Sequence, residues 1–164
     1  MVGFGPGRPV ETITVVGAGP AGRLAAVRGA KAGYRVILED LSGQLDRAWD
    51  EIRKAAGAEI LGRIMPERAL DRAAADADLI LEAAPDDMES KIEVYTLIDR
   101  MARPSCLFAA TSAWLDPDEI AALTYRPAQV LAMLFSATGV EVVPGRETSP
   151  ESMRRAAEVA WRMG

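Results

Sequence analysis

Short apolar runs alternate with longer segments of helical periodicity along most of this chain. The apolar runs predict strands, because four or five consecutive apolar residues suit a strand buried on both faces of a sheet. Strands are predicted at residues 13–16, 35–39, 60–65, 79–83, 106–110, 130–135 and 140–143. Helices are predicted at residues 20–32, 45–56, 67–75, 85–101, 116–123 and 150–163.

This alternation predicts the fold class. Successive strand–helix–strand units join through right-handed crossovers, which place the strands parallel and the helices on both sides of the sheet. We therefore expect an α/β protein with a Rossmann-type, doubly wound, mostly parallel sheet. Residues 1–10 contain three glycines and two prolines but no apolar run, which predicts a flexible tail before one domain at residues 11–164.

A glycine-rich loop follows the first predicted strand directly. It reads Gly17, Ala18, Gly19, Pro20, Ala21 and Gly22, the spacing of a dinucleotide-binding loop. In such a loop Gly17 permits a tight turn, Gly19 lets the backbone approach a pyrophosphate, and Gly22 lets the helix pack closely on the strand. The helix N-terminus then offers free N–H groups to the phosphates. The alternative is a glycine-rich turn without a ligand.

An acidic pair at the end of the second predicted strand favours NAD as the dinucleotide. Asp40 lies 18 residues after Gly22, with Glu39 beside it. A carboxylate there accepts hydrogen bonds from the adenosine ribose and repels a 2′-phosphate, and no Arg or Lys occurs at residues 41–46 to favour NADP. Spacing alone does not decide which of the two acids binds the ribose. The alternative is that both are solvated residues at the end of the strand. FAD is excluded by length, because 164 residues are too few to enclose a flavin.

Composition narrows the class of partner and the compartment. The formal net charge of −5 argues against nucleic acid, which needs a basic patch. The single cysteine, Cys106, excludes an internal disulfide and indicates a reducing compartment. No apolar stretch is long enough to span a membrane. We expect a soluble cytoplasmic protein without a metal site.

The sequence contains no histidine. Lysine occurs only at Lys31, Lys54 and Lys91, and arginine stays protonated at any relevant pH. A reaction that needs a proton acceptor near neutrality therefore has few candidates. They are Lys91, Glu141 and the residues Tyr95, Cys106 and Tyr125, of which Cys106 begins a predicted buried strand, where a thiol is usually inert.

Several segments together resemble the N-terminal NAD-binding domain of the 3-hydroxyacyl-CoA dehydrogenases. These segments are ITVVGAGPAGRLAA, AGYRVILED, DADLILEAAPDDMESK and RPAQVLAMLF, followed by SPESMRRAAEVAWRMG. The resemblance implies that Asp40 binds the adenosine ribose and that Asp86 and Lys91 bind the cofactor. Asp86 is alternatively a helix N-cap, and Lys91 alternatively a solvated helix residue.

The same resemblance predicts that the catalytic residues of the family are missing. Its serine after the fifth strand corresponds to Ala113, its histidine to Leu134 and its asparagine to Ala137. Its glutamate, which pairs with the histidine, corresponds to Glu141 after a deletion of several residues. Glu141 is thus a remnant of the catalytic pair or, alternatively, a strand-edge carboxylate without a catalytic role.

Three hypotheses about function follow. The first is an active dehydrogenase completed by a separate chain, because the resemblance stops before the family's C-terminal helical domain. The second is an NAD-binding module that has lost the chemistry, and the missing histidine favours it. The third is a structural remnant that binds no nucleotide. The resemblance also implies an acyl-CoA as substrate, and exposed apolar surface predicts a homo-oligomer or a partner chain.

Overall fold

The structure, a computed structural model, describes residues 7–40 and 43–164. Within this part of the chain seven strands form one sheet: β1 (Thr12–Val16), β2 (Arg35–Glu39), β3 (Ile64–Glu67), β4 (Leu79–Glu82), β5 (Leu107–Ala110), β6 (Val130–Ser136) and β7 (Gly139–Pro144). The helices are α1 (Pro20–Lys31), α2 (Gln44–Ala55), α3 (Ala58–Leu61), α4 (Leu70–Ala75), α5 (Met88–Met101), α6 (Pro117–Ala121) and α7 (Pro150–Met163).

The strand order is β3-β2-β1-β4-β5-β6-β7. All neighbouring strands are parallel except β6 and β7, which pair antiparallel. The chain leaves β1 toward β2 and β3 and then returns to the other side of β1 as β4. The carboxyl ends of β1 and β4 therefore flank a topological switch point, where ligands of open α/β sheets bind.

The central strands β1, β2, β4 and β5 are buried on both faces, as their continuous apolar runs predict. Alternate residues of β4 enter different cores: Leu79 and Leu81 face α1, α2 and α7, whereas Ile80 faces α4, α5 and α6. Small residues of α1, including Ala25 and Ala26, are fully buried and let this helix lie close to the sheet. The doubly wound α/β fold predicted from the sequence is confirmed.

Several element boundaries differ from the prediction. The third strand lies at Ile64–Glu67, and the predicted start of that strand forms the short helix α3 instead. Helix α5 begins at Met88 rather than at residue 85, since the preceding residues form the loop after β4. Of the predicted tail, residues 1–6 lie outside the described residues. Arg8 forms ion pairs with Glu11 and Asp78.

Candidate functional site

The glycine loop and the loop after β4 meet at the switch point of the sheet. Gly17 has a φ of +107°, and a Cβ atom on it would lie 2.5 Å from the carbonyl oxygen of Ala83. Both the backbone conformation and the space therefore require glycine at this position. The close approach of the two loops defines the floor of the candidate site.

The rest of the glycine loop has the shape of a phosphate cradle. A Cβ atom on Gly22 would overlap the carbonyl oxygen of Gly17, so helix α1 can pack against the loop only without a side chain there. At Gly19, the nearest atom of the described residues to an added Cβ would be Oε1 of Gln44 at 3.9 Å. Among residues 7–40 and 43–164, no side chain caps the N-terminus of α1, so the N–H groups of its first turn are available to an anion. These residues fit the pyrophosphate of a dinucleotide.

The two acids at the end of β2 occupy different environments. Oδ2 of Asp40 accepts a hydrogen bond from the backbone N–H of Ala18 at 2.9 Å, which holds this carboxylate beside the glycine loop. Glu39 is buried, and burial, together with the nearby Asp40 and Glu67, raises its pKa to about 7. Asp40 is therefore the better placed of the two to accept hydrogen bonds from ribose hydroxyls.

A cleft of about 190 Å³ opens beside these acids. Its lining joins the ends of β1 and β2 to helix α5: Val16, Gly17, Glu39, Asp40, Leu70, Ala84, Pro85, Ser90, Glu93, Val94 and Leu97. The walls are largely apolar, with Glu39 and Asp40 at the end of β2 and Glu93 on α5. Such a lining suits a flat aromatic base with its ribose directed toward the acids.

A buried hydrogen-bond network holds the loop after β4. Nζ of Lys91 donates to Oε1 of Glu82 at 2.8 Å and to the carbonyl oxygen of Ala84 at 3.0 Å. The hydroxyl of Tyr95 donates to the other carboxylate oxygen of Glu82 at 3.0 Å. Glu82 and Lys91 are almost fully buried, so their charges interact out of contact with water. Lys91 is thus a buried residue and not the solvated one considered from the sequence.

Asp86 is linked to the same network at its exposed end. Its Oδ1 lies 3.1 Å from Nζ of Lys91 and accepts a hydrogen bond from Oγ of Ser112 at 2.8 Å. The N-cap of α5 is Asp87, whose side chain accepts from the backbone N–H of Ser90, so the N-cap alternative for Asp86 is wrong. The interaction with Ser112 joins the loops after β4 and β5 at the carboxyl edge of the sheet.

Leu134 and Glu141, the positions that the resemblance assigns to the family's histidine and glutamate, meet across β6 and β7. Leu134 is the register partner of Glu141 in this antiparallel pair. Ala132, two residues earlier, pairs with Ala110, the last residue of β5. Leu134 therefore lies beyond the end of β5, at the same edge of the sheet as the glycine loop. Ala137 is in the turn between β6 and β7, and Ala113 is in the loop after β5.

The other candidate proton acceptors are unsuited to the role. Burial, followed by the charge of Glu82 and the hydrogen bond to it, raises the pKa of Tyr95 well above its ordinary value. Burial raises the pKa of the Cys106 thiol to about 12, and the thiol contacts the carbonyl oxygen of Leu107. Tyr125 precedes β6 and is fully exposed, so it lies at the opposite edge of the sheet.

A second cavity lies on the other side of the glycine loop, between α1 and α2. It is lined by Ala18, Gly19, Pro20, Arg23, Gln44, Arg47 and Glu51. Arg23 of α1 forms an ion pair with Glu51 of α2. Two arginines, Arg23 and Arg47, line this cavity, whereas the described lining of the cleft beside Asp40 includes none.

Sequence reasoning missed Glu82 and Ser112 as members of the site. A usable signal existed for Glu82, because a charged residue ending an otherwise apolar buried strand requires a partner. Ser112 offered no such signal, since its importance comes only from the contact with Asp86.

The described part of the chain contains neither a metal site nor a membrane-spanning helix. Among these residues, no group of three or more His, Cys, Asp or Glu side chains has the arrangement needed to hold a metal ion. Within the same ranges, 7–40 and 43–164, no helix combines the length and the apolar character required to cross a membrane.

The family and the sequence relatives that match this chain agree with each other. The family described as 3-hydroxyacyl-CoA dehydrogenase, NAD binding domain, matches residues 12–164. The probable 3-hydroxybutyryl-CoA dehydrogenase of Bacillus subtilis is 30% identical, over 94% of this chain and 60% of the relative. The peroxisomal bifunctional enzyme of Cavia porcellus is 27% identical, over 95% of this chain and 24% of the relative.

A solved structure agrees with these sequence relatives. The crystal structure of 3-hydroxybutyryl-CoA dehydrogenase from Escherichia coli superposes with a TM-score of 0.87 at 28% identity, covering 96% of this chain and 37% of that chain. The present chain thus spans 60% or less of the length of these relatives.

Proposed function

Because this chain belongs to the 3-hydroxyacyl-CoA dehydrogenase family, through its NAD-binding domain, we propose that it binds NAD at Gly17–Gly22 and Asp40 and is impaired in hydride transfer. The observation that supports the impairment is the pairing of Leu134 with Glu141. A leucine occupies the position at which the family resemblance requires a histidine, and the carboxylate opposite has no imidazole to orient.

The binding half of the proposal assigns each part of NAD to residues of the site. The N–H groups at the start of α1 bind the pyrophosphate, and Asp40 accepts hydrogen bonds from the adenosine ribose. The apolar cleft beside Asp40 holds the adenine, while Asp86 and Lys91 form the wall toward the nicotinamide side. Lys91 acts within this wall through the carbonyl oxygen of Ala84 and the carboxylate of Asp86.

The catalytic half of the proposal concerns the proton of the substrate hydroxyl group. When bound, NAD supplies the hydride acceptor for oxidation of an alcohol. The chain itself must then take the hydroxyl proton, and losing a positioned base costs about 10²- to 10⁴-fold in rate. Leu134 cannot accept a proton, and Ala113 and Ala137 offer no polar side chain to orient a substrate. Glu141 is exposed on the edge strand β7, and no side chain of this sequence is a histidine that it could orient.

Calorimetric titration with NAD and NADH tests the binding half. We expect dissociation constants below about 1 mM for both, and at least tenfold weaker binding of NADP, since Asp40 repels a 2′-phosphate. Asp40→Asn should weaken NAD binding and narrow the difference from NADP. Absence of binding by NAD and NADH near 1 mM would refute this half and favour a structural remnant that binds no nucleotide.

Following NADH formation with a 3-hydroxyacyl-CoA tests the catalytic half. We expect a turnover at least about 10²-fold below the typical enzyme value of about 10 s⁻¹. A turnover near that value would overturn the impairment and favour an active dehydrogenase.

The alternative of an active enzyme completed by another polypeptide is supported by one further feature. The Glu82–Lys91 pair and its links to Asp86 and Ser112 remain fully formed at the carboxyl edge of the sheet. A partner chain that supplies a base at this edge, or a second copy of the domain, would then complete an acyl-CoA site. Mixing experiments with a helical C-terminal domain of the family, with NADH formation as the readout, test this alternative. The predicted cytoplasmic location accords with all of these functions.

A further inference from the structure

The two cavities beside the glycine loop have opposite charge. The cleft on the α5 side is lined by the acidic residues Glu39, Asp40 and Glu93. The cavity on the α2 side is lined by the arginines Arg23 and Arg47, accompanied by Glu51. A ligand with neutral hydroxyls at one end and a doubly negative group at the other would be oriented by this arrangement, with its negative group toward α2.

Arg23 lies at the point where such a negative group would meet α1. Its backbone N–H donates to the carbonyl oxygen of Gly19 at 2.9 Å, which places it at the end of the first turn of the helix. Its side chain is one-quarter exposed and borders the cavity together with Ala18 and Gly19. The guanidinium forms an ion pair with Glu51, whose side chain is half exposed.

The glycine loop lacks one backbone N–H hydrogen-bond donor. Pro20 is the first residue of α1 and has no backbone N–H, so the cradle lacks one of the groups that a helix start usually offers to phosphates. The chain also has a net charge of −5, which disfavours a dianionic ligand. A guanidinium close to the loop compensates for both, because it supplies a full charge and paired N–H donors suited to phosphate oxygens.

We propose that Arg23 binds the pyrophosphate of NAD and that Glu51 competes with the phosphates for the same guanidinium. This proposal rests on the proposed binding of NAD to the glycine loop. In the absence of the cofactor, Glu51 holds Arg23 beside the cavity; when the dinucleotide binds, the guanidinium exchanges at least part of this ion pair for phosphate oxygens.

A purely structural role for the ion pair gives a different pattern of effects. If Arg23 and Glu51 only joined α1 to α2, removal of either partner would affect NAD affinity in the same direction. If they compete as proposed, removal of Arg23 weakens binding, whereas removal of Glu51 strengthens it. The sign of the effect of Glu51→Gln therefore separates the two roles.

The experiment measures dissociation constants by calorimetry for the full chain and three variants. Arg23→Gln should weaken NAD binding about tenfold, the value of one charge-assisted hydrogen bond to phosphate. Glu51→Gln should strengthen NAD binding about two- to fivefold, as expected from an exposed ion pair. Asp50→Asn breaks the neighbouring ion pair with Arg53 on the same helix and should leave the affinity unchanged.

Two further probes locate the effect on the ligand. ADP-ribose retains the pyrophosphate and should show the same changes as NAD, whereas adenosine has no phosphate and should bind the wild type and Arg23→Gln equally. Arg23→Lys should recover part of the affinity, because it restores the charge without the planar pair of donors. Thermal unfolding of each variant shows whether it is folded; if Arg23→Gln is not, Glu51→Gln still gives the deciding sign.

Weaker NAD binding by both Arg23→Gln and Glu51→Gln would overturn the competition, and unchanged binding in both would overturn any contact of Arg23 with the phosphates. An equal loss of adenosine binding in Arg23→Gln would also overturn it. Failure of the wild-type chain to bind NAD is a distinct outcome, which refutes the proposed function and this inference with it.

Discussion

Leu134 of β6 lies directly opposite Glu141 of β7, in register across the antiparallel pair. The correspondence of Glu141 with the family's glutamate requires a deletion of several residues in the sequence. The structure places the two positions together because a turn of only Ala137 and Thr138 joins the strands. The geometry for a cross-strand pair is therefore present without the imidazole.

Under the proposed impairment, a histidine introduced at position 134 alone should not give full dehydrogenase activity. We expect Leu134→His to raise NADH formation with a 3-hydroxyacyl-CoA by less than about tenfold, a small part of the 10²- to 10⁴-fold that a positioned base contributes. The reason is that Ala113 and Ala137 still provide no polar side chains for the substrate. Initial rates at saturating NAD measure this.

The triple variant Leu134→His, Ala113→Ser, Ala137→Asn is the matched comparison. It should exceed the single variant, because residues that act as a unit contribute non-additively. Rates near those of a typical dehydrogenase from Leu134→His alone would mean that the other two positions are not needed.

Gly22→Ala should damage both the fold and cofactor binding. The added methyl group would overlap the carbonyl oxygen of Gly17, so the loop and the start of α1 must separate. We expect a loss of about 2–4 kcal/mol in the free energy of unfolding and no measurable NAD binding. Gly57→Ala is the control, because a Cβ there would meet no atom of the described residues within 4 Å. Equal behaviour of the two variants would contradict the proposed role of Gly22.

Lys91→Met should destabilise the wall of the site. It removes the cation from a buried carboxylate, and breaking a buried pair in this way typically costs about 3–5 kcal/mol. Urea unfolding measures this loss, and NAD titration should show weaker binding because the Ala84 carbonyl and Asp86 lose their common donor.

Lys31→Met, at an exposed position of α1, is the control for Lys91→Met and should be nearly neutral. Glu82→Gln combined with Lys91→Met should cost less than the sum of the single changes, since the residues interact directly. Additive losses would show that the pair is not coupled as its geometry implies.

Glu39 should make the protein less stable as the pH rises through the weakly acidic range. Burial raises its pKa from 4.5 to about 7, so the folded state holds the proton while the unfolded state has released it. Stability contributed by this proton is full below pH 4.5, falls between pH 4.5 and about 7, and is absent above. Glu39→Gln should remove this dependence and be more stable than the wild type at pH 8 by about 2 kcal/mol.

Urea unfolding of the wild type and Glu39→Gln at pH 4, 6 and 8 measures the difference. Glu59→Gln serves as the control, because Glu59 is exposed on α3. A stability difference between wild type and Glu39→Gln that stays constant from pH 4 to pH 8 would contradict the assignment.

The fold could be predicted well because its determinants are local. Each buried strand is a short apolar run, and the glycine loop marks the first strand–helix junction through steric requirements that only glycine meets. The third strand lies later than predicted because Ile64–Glu67 contains a proline and a glutamate, and its pairing with β2 depends on a distant segment. The antiparallel direction of β7 likewise depends on the tight turn before it.

The site was predictable only in part, for a related reason. The choice of Asp40 as a candidate ribose ligand follows from its spacing to the glycine loop. Its choice over Glu39 depends on which carboxylate accepts a hydrogen bond from the backbone of Ala18. The burial of Lys91 could not be inferred from its own surroundings in the sequence, because its partner Glu82 belongs to the preceding strand. Contacts between loops, such as that of Ser112 with Asp86, have no local sequence pattern that predicts them.

The buried thiol of Cys106 offers a practical consequence. It is the single cysteine of the chain, and in the folded state it is both inaccessible and protonated at any ordinary pH. A thiol-specific reagent can therefore modify the protein only when β5 opens to water. The rate of modification then measures how readily β5 opens. A slower rate in the presence of NAD would report cofactor binding through a residue at the opposite edge of the sheet, without any added label.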